Sequence, residues 1–96
     1  RYLGQTTSLA KKLCNRAMVR RDLGELESAL KDIDAGLREE DATPILKYEK
    51  ALILDAMGRK REASNWFKQF LKTADHKEFR EMVAYSRNRL GRLGRG

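Results

Sequence analysis

Cysteine, histidine and proline each occur once in this 96-residue chain. A lone Cys14 excludes an internal disulfide, and a reducing, cytoplasmic compartment is the expected location. One cysteine and one histidine, His76, are too few ligands for zinc, and neither metal nor cofactor is expected. No apolar run approaches the roughly 18 residues of a membrane span, and no stretch combines the basic, apolar and small-residue parts of a signal peptide. Strand alternation and low-complexity runs are missing too. The chain opens Arg1-Tyr2-Leu3 rather than Met, as expected of an excerpt from a longer protein.

Acids are missing from residues 1–21, which carry six bases, whereas residues 22–42 carry eight acids against Lys31 and Arg38. Residues 76–96 are basic again, with six bases against Glu78 and Glu81. The net charge of +7 is therefore segregated, a pattern that steers partners. The plainer account is that helical proteins solvate their outer faces with charge.

What is present is a 34-residue period. Ala17, Gly24 and Ala29 return as Ala51, Gly58 and Ala63, and Ile33 and Leu37 return as Phe67 and Leu71. A fixed period of this length means stacked units that cannot bury their apolar faces alone. Five helices are expected. The first, 8–23, is capped from Thr6-Thr7-Ser8 and stopped by Gly24. The second, about 26–40, places Leu26, Ala29, Leu30, Ile33 and Leu37 on one face. Thr43 as cap and Pro44 in the first turn begin the third, 44–57, which is apolar on most sides and ends at Gly58. The fourth spans about 60–73 and the fifth about 77–91, leaving a tail from Gly91 that is expected to fray.

Helix, Gly, helix, with a small residue one turn into the second helix, resembles the tetratricopeptide repeat (TPR). The resemblance covers residues 10–75. It implies an all-α, right-handed superhelical α-solenoid: repeat 1 at about 10–43, repeat 2 at about 44–77, and a closing helix at about 77–91. Ala17 and Ala51 stand where paired helices cross closely, and Ile33 and Phe67 fill the core within each repeat. The chain departs from the family at Lys47, where a large apolar residue is usual, at Arg20 and Leu54, where tyrosine is usual, and at Asp41 and Asp75, where proline is usual. Lys12, Arg16 and Arg20 project where a preceding repeat would pack, so the first repeat is expected to begin the stack.

In TPR arrays the first helix of each repeat lines a concave groove. The resemblance puts Lys11, Cys14, Asn15, Met18 and Arg21 there from repeat 1, and Ile45, Tyr48, Glu49, Leu52 and Asp55 from repeat 2. Phe79, Met82, Val83 and Ser86 are added from the closing helix. Independently, Ile45, Tyr48 and Leu52 form a stripe at i, i+3, i+7, apart from the Leu46, Ile53, Met57 face. Two stripes need two apolar neighbours: the array, and a partner peptide or amphipathic helix. The alternative is that the fifth helix curls over the groove, or that two copies pair through it. A subclass of TPR proteins clamps chaperone C-terminal carboxylates with lysine, asparagine and arginine. Here Cys14, Met18 and Glu49 stand at three of those positions, and Glu49 and Asp55 repel a carboxylate, so that clamp is disfavoured.

The expected function is a non-enzymatic protein-interaction module of scaffold or adaptor type. An auxiliary or regulatory domain docked in cis on a larger enzyme is the alternative. Nucleic-acid binding through Arg59-Lys60-Arg61 and Arg87, Arg89, Arg92 and Arg95, with Tyr85 or Trp66 as stacking platforms, ranks lower because the acids of the second helix repel phosphate. Cys14 has no predicted base beside it and reads as a packing residue rather than a nucleophile. Leu52→Asp is expected to abolish partner binding and leave the helical circular-dichroism signal intact.

Overall fold

Helix ends rather than helix middles organise this chain. The computed structural model describes residues 8–94, which form α1 (Leu9–Asp22), α2 (Leu26–Leu37), α3 (Pro44–Ala56), α4 (Lys60–Thr73) and α5 (Arg80–Leu93), with no strand among them. Ser8 caps α1, its hydroxyl accepting the Lys11 N–H at 3.0 Å. The other cap candidates, Thr6 and Thr7, lie outside the described residues, as does Arg95.

The turn after α1 is rebuilt after α3. Gly24 (φ 83°) and Gly58 (φ 80°) hold the left-handed conformation. The Gly24 N–H donates to the Arg21 carbonyl and the Glu25 N–H to the Arg20 carbonyl. The Gly58 N–H donates to Asp55, and the Arg59 N–H to Leu54. Both are Schellman closures, which satisfy the last helical carbonyls and send the chain straight into the next helix.

Other boundaries differ from expectation. The second helix stops at Leu37 rather than 40, so Glu39, Glu40 and Asp41 follow its C-cap, Arg38, instead of forming its last turn. Thr43 occupies the cap position before Pro44, but its side chain makes no capping bond. The fifth helix begins at Arg80 rather than 77. Asp75 first organises a separate turn, its carboxylate accepting the Lys77 and Glu78 N–H groups at 2.8 and 3.1 Å. That helix also runs on to Leu93, so the first residues of the tail expected to fray are helical, and residues 95–96 lie outside the described residues.

Each helix packs on its sequence neighbours, and α1 also touches α3. Ala17 with Ala29, and Ala51 with Ala63, are wholly buried, which lets the paired backbones approach. Ile33 and Phe67 are equally buried, each worth roughly 1.5–3 kcal/mol of apolar burial. One cluster joins α1, α2 and α3; a second joins α3 and α4 and draws in Leu90 and Leu93 of α5. Leu30 and Met57 touch both clusters. The shape is elongated, 48 × 31 × 20 Å with a radius of gyration of 13.4 Å, against about 12.5 Å for a compact chain of this length.

Charges tie the helices together. Asp32, with a side chain 5% exposed, receives Arg16 in a two-bond fork at 2.8 and 2.9 Å and Arg20 at 3.1 Å. Arg16 and Arg20, expected to project where a preceding repeat would pack, are thus paired within their own repeat. Thirty-four residues on, Arg16 and Asp32 become Lys50 and Trp66, and the Lys50 ammonium sits 4.5 Å from the centre of the Trp66 ring. An ion pair in one repeat is replaced by a cation–π contact in the next.

Candidate functional site

Lys11, Cys14 and Met18 succeed one another at three- and four-residue steps along α1 and so share a face. That face looks across at the start of α3 and the start of α5, enclosing a cleft of about 410 Å³. Its apolar lining comes from Cys14, Met18, Ile45, Leu46, Phe79 and Met82. Lys11, Asn15, Asp41 and Glu78 add polar groups of both signs. Met18 is 37% exposed, while Cys14 is buried. Burial pushes the Cys14 thiol up to about 11, with the Glu49 carboxylate adding to it. At neutral pH it is a packing group, not a thiolate.

The remaining expected groove residues do not line this cleft. Tyr48 is half-buried, its ring centre 5.1 Å from Phe70 and 6.2 Å from both Phe67 and Tyr85. Desolvation raises its phenol, as do the neighbouring Tyr85 and Glu49. Tyr85 of α5 thus lies against the stripe that was expected to be open. Arg21, Leu52, Asp55, Ala56 and Tyr85 border a second depression of about 380 Å³. Of the apolar stripe, Ile45 lines the first depression, Leu52 the second, and Tyr48 neither. Leu52 packs against the cluster of Ala51, Leu54, Ala63 and Phe67. An aspartate at Leu52 would enter that packing, so it does not separate binding from folding.

The charged residues expected in the groove are spent on internal ties. Arg21 Nε donates to Glu49 Oε1 at 3.1 Å, joining α1 to α3. Asp55 receives Arg89 in a fork with both bonds at 2.8 Å, joining α3 to α5. Arg21, Asp55 and Arg89 are each separated by 34 residues, so one repeat position alternates in sign along three helices. Glu49 is 3% exposed, and burial raises its carboxyl above the ordinary value although Arg21 pulls the other way. From the closing helix, Phe79 and Met82 reach the cleft, but Val83 and Ser86 are buried instead of lining it.

His76 lies in an exposed turn, its Nε2 2.8 Å from the Leu71 carbonyl. Among the described residues, no group of three His, Cys, Asp or Glu side chains could hold a metal ion, and no helix is long and apolar enough to cross a membrane. Of the stacking platforms considered for nucleic acid, Trp66 has Lys50 over its ring, and Tyr85 is engaged edge-on with Tyr48. Arg59 is paired with Glu62 at 2.6 Å.

Sequence reasoning missed three features. Leu9, Val19 and Leu23 are exposed on α1. Asp32 is the hub for two arginines. Gly36 is a point of close approach, where an added Cβ would lie 2.7 Å from Leu46 Cδ2. The period itself could have flagged the first, since Val19 and Leu23 stand in register with Ile53 and Met57. Comparison of the chain with family models, curated proteins and solved structures gives no match.

Proposed function

We propose that this chain is a non-enzymatic protein-interaction module, a TPR-like array with the right-handed superhelical stacking of such repeats. Its site is the cleft between α1, α3 and the start of α5, which accepts apolar side chains of a partner segment. The observation that carries this reading is the pairing of Met18 and Met82 from two different helices around an apolar floor of about 410 Å³. That volume lies within the range of about 300–1,000 Å³ typical of ligand pockets. Flexible thioethers let such a floor adapt to the side chain it receives. Lys11, Asp41 and Glu78 at the same cleft fix the direction of the bound segment and its on-rate more than its affinity. Arg21 is already matched by Glu49, and this argues against a carboxylate clamp.

The test selects peptides from a random display library on the 96-residue chain and titrates them against Met18→Arg and Met82→Asp. Selected peptides are expected to share a large apolar residue and to lose about tenfold or more in affinity to either variant. Both variants should retain the helical circular-dichroism signal. Peptides that bind both variants as tightly as the parent chain would refute the cleft assignment.

A further inference from the structure

The internal duplication gives α1 a template for a neighbour that it lacks among the described residues. On α3, the face turned to α2 is formed by Leu46, Lys50, Ile53 and Met57. Leu46 is 2% exposed and meets Gly36, Lys50 pairs with Asp34 at 2.6 Å, and Ile53 is wholly buried in the cluster shared with α1 and α2. Thirty-four residues earlier the same positions of α1 are Lys12, Arg16, Val19 and Leu23. Here the face is open: Val19 is 58% and Leu23 68% exposed, and the Arg16 side chain is 57% exposed although Asp32 holds its inner edge. Leu9, one turn before Lys12, extends the apolar part.

We infer that this face of α1 is a second docking surface, and that its occupant is an acidic amphipathic helix of a partner protein, seated as α2 is seated on α3. The observed α2–α3 contact specifies the chemistry. Leu30 and Leu37 lie seven residues apart on α2, and Asp34 between them meets Lys50. A helix on α1 keeps that spacing, its central acid meeting Arg16. Because Lys12 replaces Leu46, a second acid replaces the glycine that approaches Leu46. Val19 and Leu23 take the apolar residues, as Ile53 and Met57 do in the second repeat. A second copy of this chain is a poor occupant: its own α2 is already committed to α3, and the exposed arginines of its α5 would face Lys12 and Arg16. This surface is separate from the cleft, which uses Cys14 and Met18 on another side of α1.

The probe is a synthetic peptide of residues 25–39, with Gly36→Glu and a lactam bridge between Glu27 and Lys31 to hold it helical. Nuclear magnetic resonance titration of the labelled chain is expected to shift the amides around Leu9, Lys12, Val19 and Leu23 and to spare those of Phe79 and Met82. Lys12→Glu and Val19→Asp each replace an exposed side chain, and each is expected to weaken the peptide about tenfold or more. A peptide carrying Lys instead of Glu at position 36 should recover the Lys12→Glu loss. Shifts centred on the cleft, no titration at millimolar peptide, or affinity indifferent to Val19→Asp would each overturn the assignment. So would sedimentation showing that the chain alone dimerises and that Val19→Asp returns it to monomer.

Discussion

Asp32 and Glu49 are both buried carboxylates paired with arginine, and the structure predicts opposite consequences from neutralising them. Asp32 accepts four bonds, at 2.8–3.3 Å, from Arg16 and Arg20. The Arg16 guanidinium, chiefly by hydrogen bonding, holds the Asp32 carboxyl below its ordinary 3.8. A hydrogen bond to a charged group contributes about 1.5–3 kcal/mol. Both arginines reach solvent, however, with side chains 57% and 33% exposed, which screens the pairing. Asp32→Asn keeps the shape and one acceptor, so its expected cost at pH 7 is about 1–2 kcal/mol. Urea denaturation should show a lower midpoint at unchanged slope, and the melting temperature should fall by about 4–8 °C for each kcal/mol.

Glu49 works the other way. Desolvation is the larger influence on it, and its carboxyl is raised above 4.5 in spite of Arg21. A depressed folded pKa gives stability that is present above the unfolded value and lost as pH falls through the folded one. The Asp32 contribution should therefore disappear below about pH 3.8, and Asp32→Asn should flatten the acid limb there. A raised folded carboxyl gives a penalty that grows as pH climbs from 4.5 through the folded value. Glu49→Gln removes that penalty, and Arg21 keeps Asp22 and access to solvent, so the change should be neutral, or stabilising by up to about 1 kcal/mol, at pH 7. The reasoning fails if Asp32→Asn leaves stability at pH 7 unchanged, or if Glu49→Gln proves the more damaging of the two.

Two further outcomes follow from the backbone. Gly24→Ala and Gly58→Ala meet no atom within 4 Å, so each should cost only the left-handed conformational penalty of about 1–2 kcal/mol. The two costs should match and add in the double variant, as calorimetry can show. Gly36→Ala gains about 1 kcal/mol of helix propensity but drives a Cβ to 2.7 Å from Leu46 Cδ2. Overpacking of about 1–3 kcal/mol should make it destabilising. In a Leu46→Ala background the same change should become stabilising, a sign reversal read directly from a double-mutant cycle.

Local features were legible in the sequence, and those that depend on distant partners were not. Ser8 acts through its hydroxyl on an N–H three residues away, and Pro44, Gly24 and Gly58 act through their own backbones, so the starts and stops they set could be read locally. The stop of α2 at Leu37 was harder, because the acids at 39–41 had to be weighed against the helix dipole. Half of the candidate site was legible: Lys11, Cys14, Asn15, Met18, Ile45, Phe79 and Met82 do come together. Tyr48, Leu52, Glu49 and Asp55 do not join them. The ring of Tyr85 and the guanidiniums of Arg21 and Arg89 reach them from other helices.

By itself, the order of residues determined, among the described residues, five helices, no strand and two matching glycine turns, with small residues recurring every 34 positions. Those outcomes rest on dihedral preference, capping and period, which act over a few neighbouring residues. Tertiary structure alone decided that Tyr85 would lie against Tyr48, that Asp32 would gather two arginines, and that Val19 would stay in water while Ile53 is buried. Burial and charge pairing depend on which helix arrives from elsewhere in the chain. The same apolar residue in the same register is therefore core in one repeat and surface in the other.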